Sequence, residues 1–398
     1  MSMRTSEPVV IPTPFTEQDF LPFLLQHYLE GGHALTLWQM PNSNEKKLLI
    51  CSDGVRHLDE ISLENSETGF VFAPYDREQK KVFFKGDLIF TFKSGELNVE
   101  NVPEEVFQKR SVHEESDQPV PPGVYPTRTF QGESAPHDYR ALVEKCIDQI
   151  RAGGIEKVVP SRSKAVDLPE GFDLWKTFKK LSEVHPNCMI SLVSSEETGT
   201  WIGATPELLA SVDDRMHFRT VALAGTKRHQ PGENLKSVAW TEKEIEEQAM
   251  VCRYIISCFK KIRLREYDEH GPRTVIAGNL LHLKTEYDVD MVATNFPQLG
   301  SVMLKLLHPT SAVCGMPLEA AREFLRANEG YDRQFYTGYL GPVNVKGESH
   351  LFVNLRCMQL FSKKAILYAG AGVTIDSDAE KEWEETEMKL DTLLSAIQ

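Results

Sequence analysis

Residues 367–390, LYAGAGVTIDSDAEKEWEETEMKL, constrain this chain more than any other stretch. A short apolar strand runs into Gly370-Ala371-Gly372, and a carboxylate-rich helix follows within a few residues. Ser377 and Glu380 have the spacing of a capping box, which predicts a helix starting there. At about 100° per residue, Trp383, Leu390, Leu393, Leu394 and Ile397 share one apolar stripe, so the helix has a face to bury. Glu382, Glu385 and Lys389 lie along one border of that stripe rather than on the wet face. Two acids and a base beside a glycine turn with free N–H groups can hold a cation and an anion together. A solvated helix edge with a Glu385–Lys389 pair is the simpler use of the same residues.

The composition limits what such a site could bind. Acidic residues outnumber basic ones by 58 to 44 in 398 residues, a formal net charge of −14. That balance argues against nucleic acid or an anionic membrane as partner, and any anionic ligand must be held by local cations or a metal. With 41% hydrophobic and 26% charged residues, the chain has ample material for a core. No apolar run approaches the ~18 residues of a membrane span, and MSMRTSEPVV lacks the apolar centre of a secretory leader. Seven scattered cysteines (Cys51, Cys146, Cys188, Cys252, Cys258, Cys314, Cys357) without a CxxC pair read as reduced, mostly buried thiols of a cytoplasmic protein.

Along the chain, residues 1–110 read as alternating strands and short helices, with VFFKGDLIFTF (82–92) as the clearest hairpin and no motif that converts into chemistry. Residues 111–136, with Pro119, Pro121, Pro122, Pro126 and Pro136, read as a surface connector. Residues 137–398 hold everything else. Tyr139, Leu142, Val143, Ile147 and Ile150 predict a helix ended by Gly153-Gly154. KVVPS (157–161), CMISLVSS (188–195) and TWIGATP (200–206) read as strands. A long helix spans about 242–264, opened by a Thr241/Glu244 capping box and closed by Lys260, Lys261, Arg263 and Arg265.

Several short motifs fail on context. Gly370-Ala371-Gly372 is followed by Ile375 where a dinucleotide loop needs its third glycine. Ser161-Arg162-Ser163-Lys164 matches S-x-x-K, but no SDN or KTG element follows. His282 has no second histidine at ligand spacing.

Nine pieces in order, over some two-thirds of the chain, resemble the chorismate-utilising enzymes. They are IEKVVPSR (155–162), WIGATPELL (201–209), VALAGTKR (221–228), EKEIEEQ (242–248), LLHLKTEY (280–287), LHPTSAVCGMP (307–317), YDRQFYTGYLG (331–341), NLRCMQL (354–360) and AGAG...EWEETEMK (369–389). This family includes anthranilate synthase component I, aminodeoxychorismate synthase, isochorismate synthase and salicylate synthase. The resemblance implies one large α+β chorismate-binding domain, antiparallel sheets flanked by helices, with the site between them, and Mg²⁺ as cofactor. It implies Glu247 and Glu385 as metal ligands with Glu244 and Glu382 outside them. Glu247-Gln248 stands where the family usually has Glu-His. By the same resemblance Arg356, Lys389 and the Gly370 turn take the enolpyruvyl carboxylate, Gly225 and Thr226 line the ring, and His282 donates to a substrate oxygen. Lys157 matches the base that activates water, and Glu207 the acid that protonates the departing hydroxyl; each needs a shifted pKa to act.

Two positions narrow the expected activity. Ala224 in LAGT stands where aminodeoxychorismate synthases carry an attacking lysine. Ala312 in HPTSAVCG stands where anthranilate and salicylate synthases usually have threonine, and so resembles isochorismate synthases. No LLES-like tryptophan-feedback motif appears in the first third. The expectation is reversible conversion of chorismate to isochorismate without a glutaminase partner. Salicylate synthase, anthranilate synthase component I and a chorismate-binding regulatory subunit are the alternatives.

Overall fold

The structure, a computed structural model, describes residues 16–98, 119–123, 136–230, 232–278 and 280–397. Its described helices are α1 (Glu17–Glu30), α2 (Pro136–Ala152), α3 (Leu174–Val184), α4 (Glu242–Lys261), α5 (Leu299–Leu307), α6 (Leu318–Asn328) and α7 (Ala379–Ile397).

Side-chain alternation sets the layers. Strands Ala34–Gln39, Met189–Ser195 and Gly199–Thr205 are buried at every position, so their sheet must be covered on both faces. Trp38, Met189 and Trp201 point to one side, and Leu37, Ile190 and Ile202 to the other. The first side meets Phe70, Phe72 and Phe352 of a second sheet, with Trp38 and Phe70 rings 5.3 Å apart. The second side is covered by α1, α3 and α7. The far face of the second sheet, carrying Leu209, Phe218, Ala222 and Tyr287, is covered by α4 and α5. The result is a sandwich of two nine-stranded sheets, antiparallel at every pairing, with helices outside. This is the α+β architecture the resemblance implied.

The first third is woven into both sheets. Ala34–Gln39, Lys46–Cys51, Leu88–Lys93 and Glu96–Asn98 extend the first, while Arg56–Leu58, Gly69–Ala73 and Lys81–Lys85 extend the second. The expected 82–92 hairpin is therefore wrong. Lys81–Lys85 pairs with Gly69–Ala73, Leu88–Lys93 pairs with Lys46–Cys51, and Gly86-Asp87 carries the chain between sheets. Val82, Phe83 and Phe84 are all buried, a pattern that a single hairpin over one core does not produce.

Other boundaries move for local reasons. KVVPS is not one strand: Lys157–Val158 pairs with Gly315–Met316, Pro160 interrupts, and Ser161–Asp167 joins the first sheet beside Lys364–Gly370. The predicted Ser377/Glu380 box is replaced by Asp378, whose carboxylate accepts the Lys381 amide at 3.0 Å. Ser377 accepts the Thr374 amide instead, and Glu380 receives a bidentate pair from Arg140 at 2.6 and 2.8 Å. The Thr241/Glu244 box forms as expected, although its helix ends at Lys261. The five apolar residues predicted for α2 face its core. Most of the expected connector, 111–136, lies outside the described residues. All seven cysteines are free and six are buried. Among the described residues no helix is long and apolar enough to cross a membrane.

Candidate active site

A cleft is walled by edges of both sheets and by α4 and α7. Twelve of the residues singled out in the sequence line it: Lys157, Glu207, Ala224, Gly225, Thr226, Glu247, His282, Ala312, Arg356, Gly370, Glu385 and Lys389. Glu244 and Glu382 do not.

The α7 edge supplies a charged ladder. Lys389 Nζ donates to Glu385 Oε1 at 2.6 Å and to the Gly370 carbonyl at 2.8 Å. Burial alone would raise the Glu385 carboxyl, but the Lys389 charge and hydrogen bond hold it below the ordinary glutamate range. Glu247, on α4, is raised by burial and by the Glu385 charge, against the pull of Lys157, Lys243 and Lys389. Glu382 is 1% exposed, pairs with Lys243 and is raised by burial. Glu244 spends a carboxylate oxygen on the Thr241 amide at 2.7 Å, as its capping box requires.

Opposite this ladder, burial pushes the Glu207 carboxyl up to about 7, with Lys157, Lys389 and Arg356 opposing the rise. Lys157 is only 2% exposed. The Arg356 guanidinium lines the cleft with no carboxylate partner among the described residues, on a backbone held at φ 46°. A buried cation without a partner is costly, and an anionic ligand relieves that cost.

His282 reverses one expectation. Its Nδ1 lies 2.5 Å from the Gly225 carbonyl, which can only accept. Burial, then Arg356 and Lys389, lower its pKa to about 3, so the ring is neutral and Nε2 carries a lone pair. Nε2 is buried without a partner among the described residues, and so it is left able to accept a hydrogen bond rather than to donate one.

Three glycines line the cleft, each for a local reason. A Cβ on Gly225 would meet Glu244 Cβ at 3.0 Å and the Trp240 ring at 3.3 Å, and its φ is +68°. The glycine is thus required by its own turn and by the start of α4. Gly370 lies in a strand paired with Ser161, where a Cβ would meet the Pro160 carbonyl at 2.8 Å. Gly372 is the glycine pressed against two functional side chains: a Cβ there would lie 2.9 Å from both Glu247 Oε1 and Lys157 Cε. Both contacts are with flexible side chains, so Gly372→Ala is expected to fold normally while displacing two cleft residues. Turnover should fall roughly tenfold or more with little change in melting temperature, the cost of a misplaced catalytic group. Gly370→Ala meets backbone and should lower the melting temperature instead. Equal activity in Gly372→Ala and the native protein would refute this assignment.

The donor set suits a hard divalent ion. Glu247 and Glu385 both face the cleft and oppose each other's ionisation, a strain that a cation between them relieves. Among the described residues no group of three or more His, Cys, Asp or Glu forms a cage. Mg²⁺ needs none, since it takes one or two carboxylates and completes its shell with water and substrate oxygens.

Comparison with known proteins fits this geometry. The family described as "Chorismate binding enzyme" matches residues 78–398. The chain belongs to the chorismate-binding enzymes. This chorismate-binding enzyme is 32% identical over 276 residues to isochorismate synthase DhbC of Bacillus subtilis, covering 66% of this chain and 68% of that protein. It is 29% identical over 248 residues to isochorismate synthase EntC of Escherichia coli, covering 61% of this chain and 62% of EntC. The solved structure of MenF, the menaquinone-specific isochorismate synthase from Escherichia coli, superposes with a TM-score of 0.74 at 20% identity, over 97% of this chain and 93% of MenF. Anthranilate synthase component I from Streptococcus pneumoniae has the same fold, with a TM-score of 0.65 at 19% identity over 90% of this chain and 89% of that one.

One framework of the chorismate-binding enzyme escaped the sequence reading. Arg333, 2% exposed, pairs with Glu329 through two 2.7 Å bonds and donates to the carbonyls of Val159 and Val313 at 2.7 and 2.9 Å. It ties the segment carrying Lys157 to the segment carrying Ala312. YDRQFYTGYLG (331–341) contributes to the resemblance as a whole piece, and nothing in the sequence pairs its Arg333 with two distant carbonyls.

Proposed function

We infer that this protein is an isochorismate synthase, converting chorismate reversibly to isochorismate with Mg²⁺. The observation that carries the reading is Glu207, a carboxyl held near pKa 7, sharing one cleft with the buried amine of Lys157 and the unpartnered guanidinium of Arg356. Acid, base and anion anchor are what addition of water to a dicarboxylate, with loss of a hydroxyl, requires.

Arg356 and Lys389 take the enolpyruvyl carboxylate through charge-assisted bonds. Glu247 and Glu385 would hold Mg²⁺, whose charge would draw in the ring carboxylate, with Glu382 and Lys243 behind them. Lys157 removes a proton from water as the new C2–O bond forms. The two ring double bonds shift, the C4–O bond breaks, and Glu207 gives its proton so that the hydroxyl leaves as water. In the return direction Glu207 is the base and Lys157 the acid. His282 Nε2 accepts from a substrate hydroxyl and fixes the ring. Ala224 offers no amine for covalent attack, and water replaces ammonia, so no glutaminase is required.

The cleft's charges add a condition. Glu247, Glu382 and Glu385 already face Lys157, Lys243 and Lys389. Mg²⁺ and chorismate together add no net charge, whereas either alone does, so each should bind much more tightly in the presence of the other. Purified protein given chorismate and Mg²⁺ is expected to yield a mixture of chorismate and isochorismate by chromatography, and EDTA should abolish the change. Salicylate plus pyruvate would instead mean salicylate synthase. Anthranilate formed only with ammonium would mean anthranilate synthase component I, and binding without turnover would mean a regulatory subunit.

A further inference from the structure

A second small cavity lies between the second sheet, α4 and the 307–310 segment. Glu207 lines both cavities. The second one is mostly apolar, with Leu208, Leu209 and Val251 in its wall, and has room for about one water. Two hydroxyls border it. Thr220 Oγ1 donates to the Leu209 carbonyl at 2.7 Å and keeps its lone pairs. Thr310 Oγ1 has no partner among the described residues, although Thr310 is 9% exposed and its hydroxyl is fully buried.

A buried hydroxyl is rarely left unsatisfied, and a buried water typically has two to four polar partners. We propose that the second cavity binds one ordered water between Thr310 Oγ1 and the Glu207 carboxyl, making Thr310 a positioning residue for the acid. Thr310 donates its O–H to the water, which gives one hydrogen to the free lone pair of Thr220 Oγ1 and the other to a Glu207 carboxyl oxygen. The remaining oxygen of Glu207 keeps its proton aimed at the departing hydroxyl. As that proton leaves, negative charge grows on a carboxyl with apolar neighbours, and the water supplies the donor that meets it. Thr310 touches neither substrate nor metal in this arrangement. Its effect passes through Glu207, so the inference rests on the role of that residue given above.

The test compares Thr310→Val and Thr310→Ser, assayed with chorismate and Mg²⁺, alongside Glu207→Gln. Valine keeps the shape and removes the hydroxyl. Thr310→Val is expected to lose roughly tenfold in kcat with unchanged KM, the effect of one hydrogen bond to a charging group. Serine should restore most of it, which a purely steric role would not predict. A crystal structure of the native protein should show water density within hydrogen-bonding distance of Thr310 and Glu207, and one of Thr310→Val should lack it. Native kcat in Thr310→Val, or no water in the native cavity, overturns the inference. If Glu207→Gln is inactive while Thr310→Val is normal, the water is wrong and the acid stands. If both are normal, the acid itself is misassigned and the inference falls with it.

Discussion

Glu207→Gln is expected to turn chorismate over roughly 10²–10⁴-fold more slowly than the native protein, with KM little changed. Glutamine has the shape of the protonated acid and no proton to give, so binding survives and C4–O cleavage does not. Lys157→Ala should lose turnover to a similar extent, because the other amine lining the cleft, Lys389, is committed to Glu385 and the Gly370 carbonyl. In the native enzyme one limb of the pH profile of kcat/KM should lie near 7, where Glu207 titrates, and the residual activity of Glu207→Gln should lack it. Glu207 also links pH to stability. Its folded pKa of about 7 stands above the ordinary 4.5, so the fold prefers it protonated. The resulting stabilisation is fully present below pH 4.5 and is lost as pH rises through about 7. The gap between those two values corresponds to about 3 kcal/mol, which glutamine has no proton to lose. Thermal melts should therefore show Glu207→Gln gaining on the native protein between pH 4 and pH 8. Native-like turnover in both variants, or a difference in melting that ignores pH, would remove the acid–base assignment.

How much of this was legible in the sequence depended on whether a signal was local. The α7 stripe and the Glu385–Lys389 pair could be read from helical spacing, and the Thr241/Glu244 box from residue type at a fixed offset. Lys157, Glu207 and Arg356 carry no local signal, and only the ordered resemblance singled them out. The misread elements share a cause. VFFKGDLIFTF looks like a hairpin because turn chemistry at Gly86-Asp87 is local, whereas the choice of sheet depends on partners near residues 46–51 and 69–73. His282 was expected to donate on the resemblance alone. Its direction is set by the Gly225 carbonyl, 57 residues away in the chain. Gly372 lost out to Gly370 for the same reason: nothing along the sequence says that Glu247 and Lys157 meet at one of these glycines and not the other.

Arg356→Met should raise KM for chorismate by roughly 10²-fold, the loss of about 3 kcal/mol of charge-assisted hydrogen bonding. It should also raise the melting temperature of the protein without ligand. The two effects have one origin. The guanidinium is buried, burial lowers its pKa from the ordinary arginine value, and no described carboxylate pairs with it, so the charges of Glu385 and Glu207 offset only part of that cost. Methionine fills similar volume without that cost. Arg356→Lys keeps the charge but not the planar fork, so its KM should fall between the two. The contrast with Lys389 makes the argument specific. Lys389 already pairs with Glu385, and its removal would leave that carboxylate uncompensated, which should weaken both substrate and metal binding and lower stability. A higher KM with higher stability at Arg356, and a higher KM with lower stability at Lys389, would distinguish an anchor reserved for the ligand from one shared with the fold. If Arg356→Met melted lower than the native protein and bound chorismate as tightly, the guanidinium would be a structural residue and the anion anchor would have to lie elsewhere in the cleft.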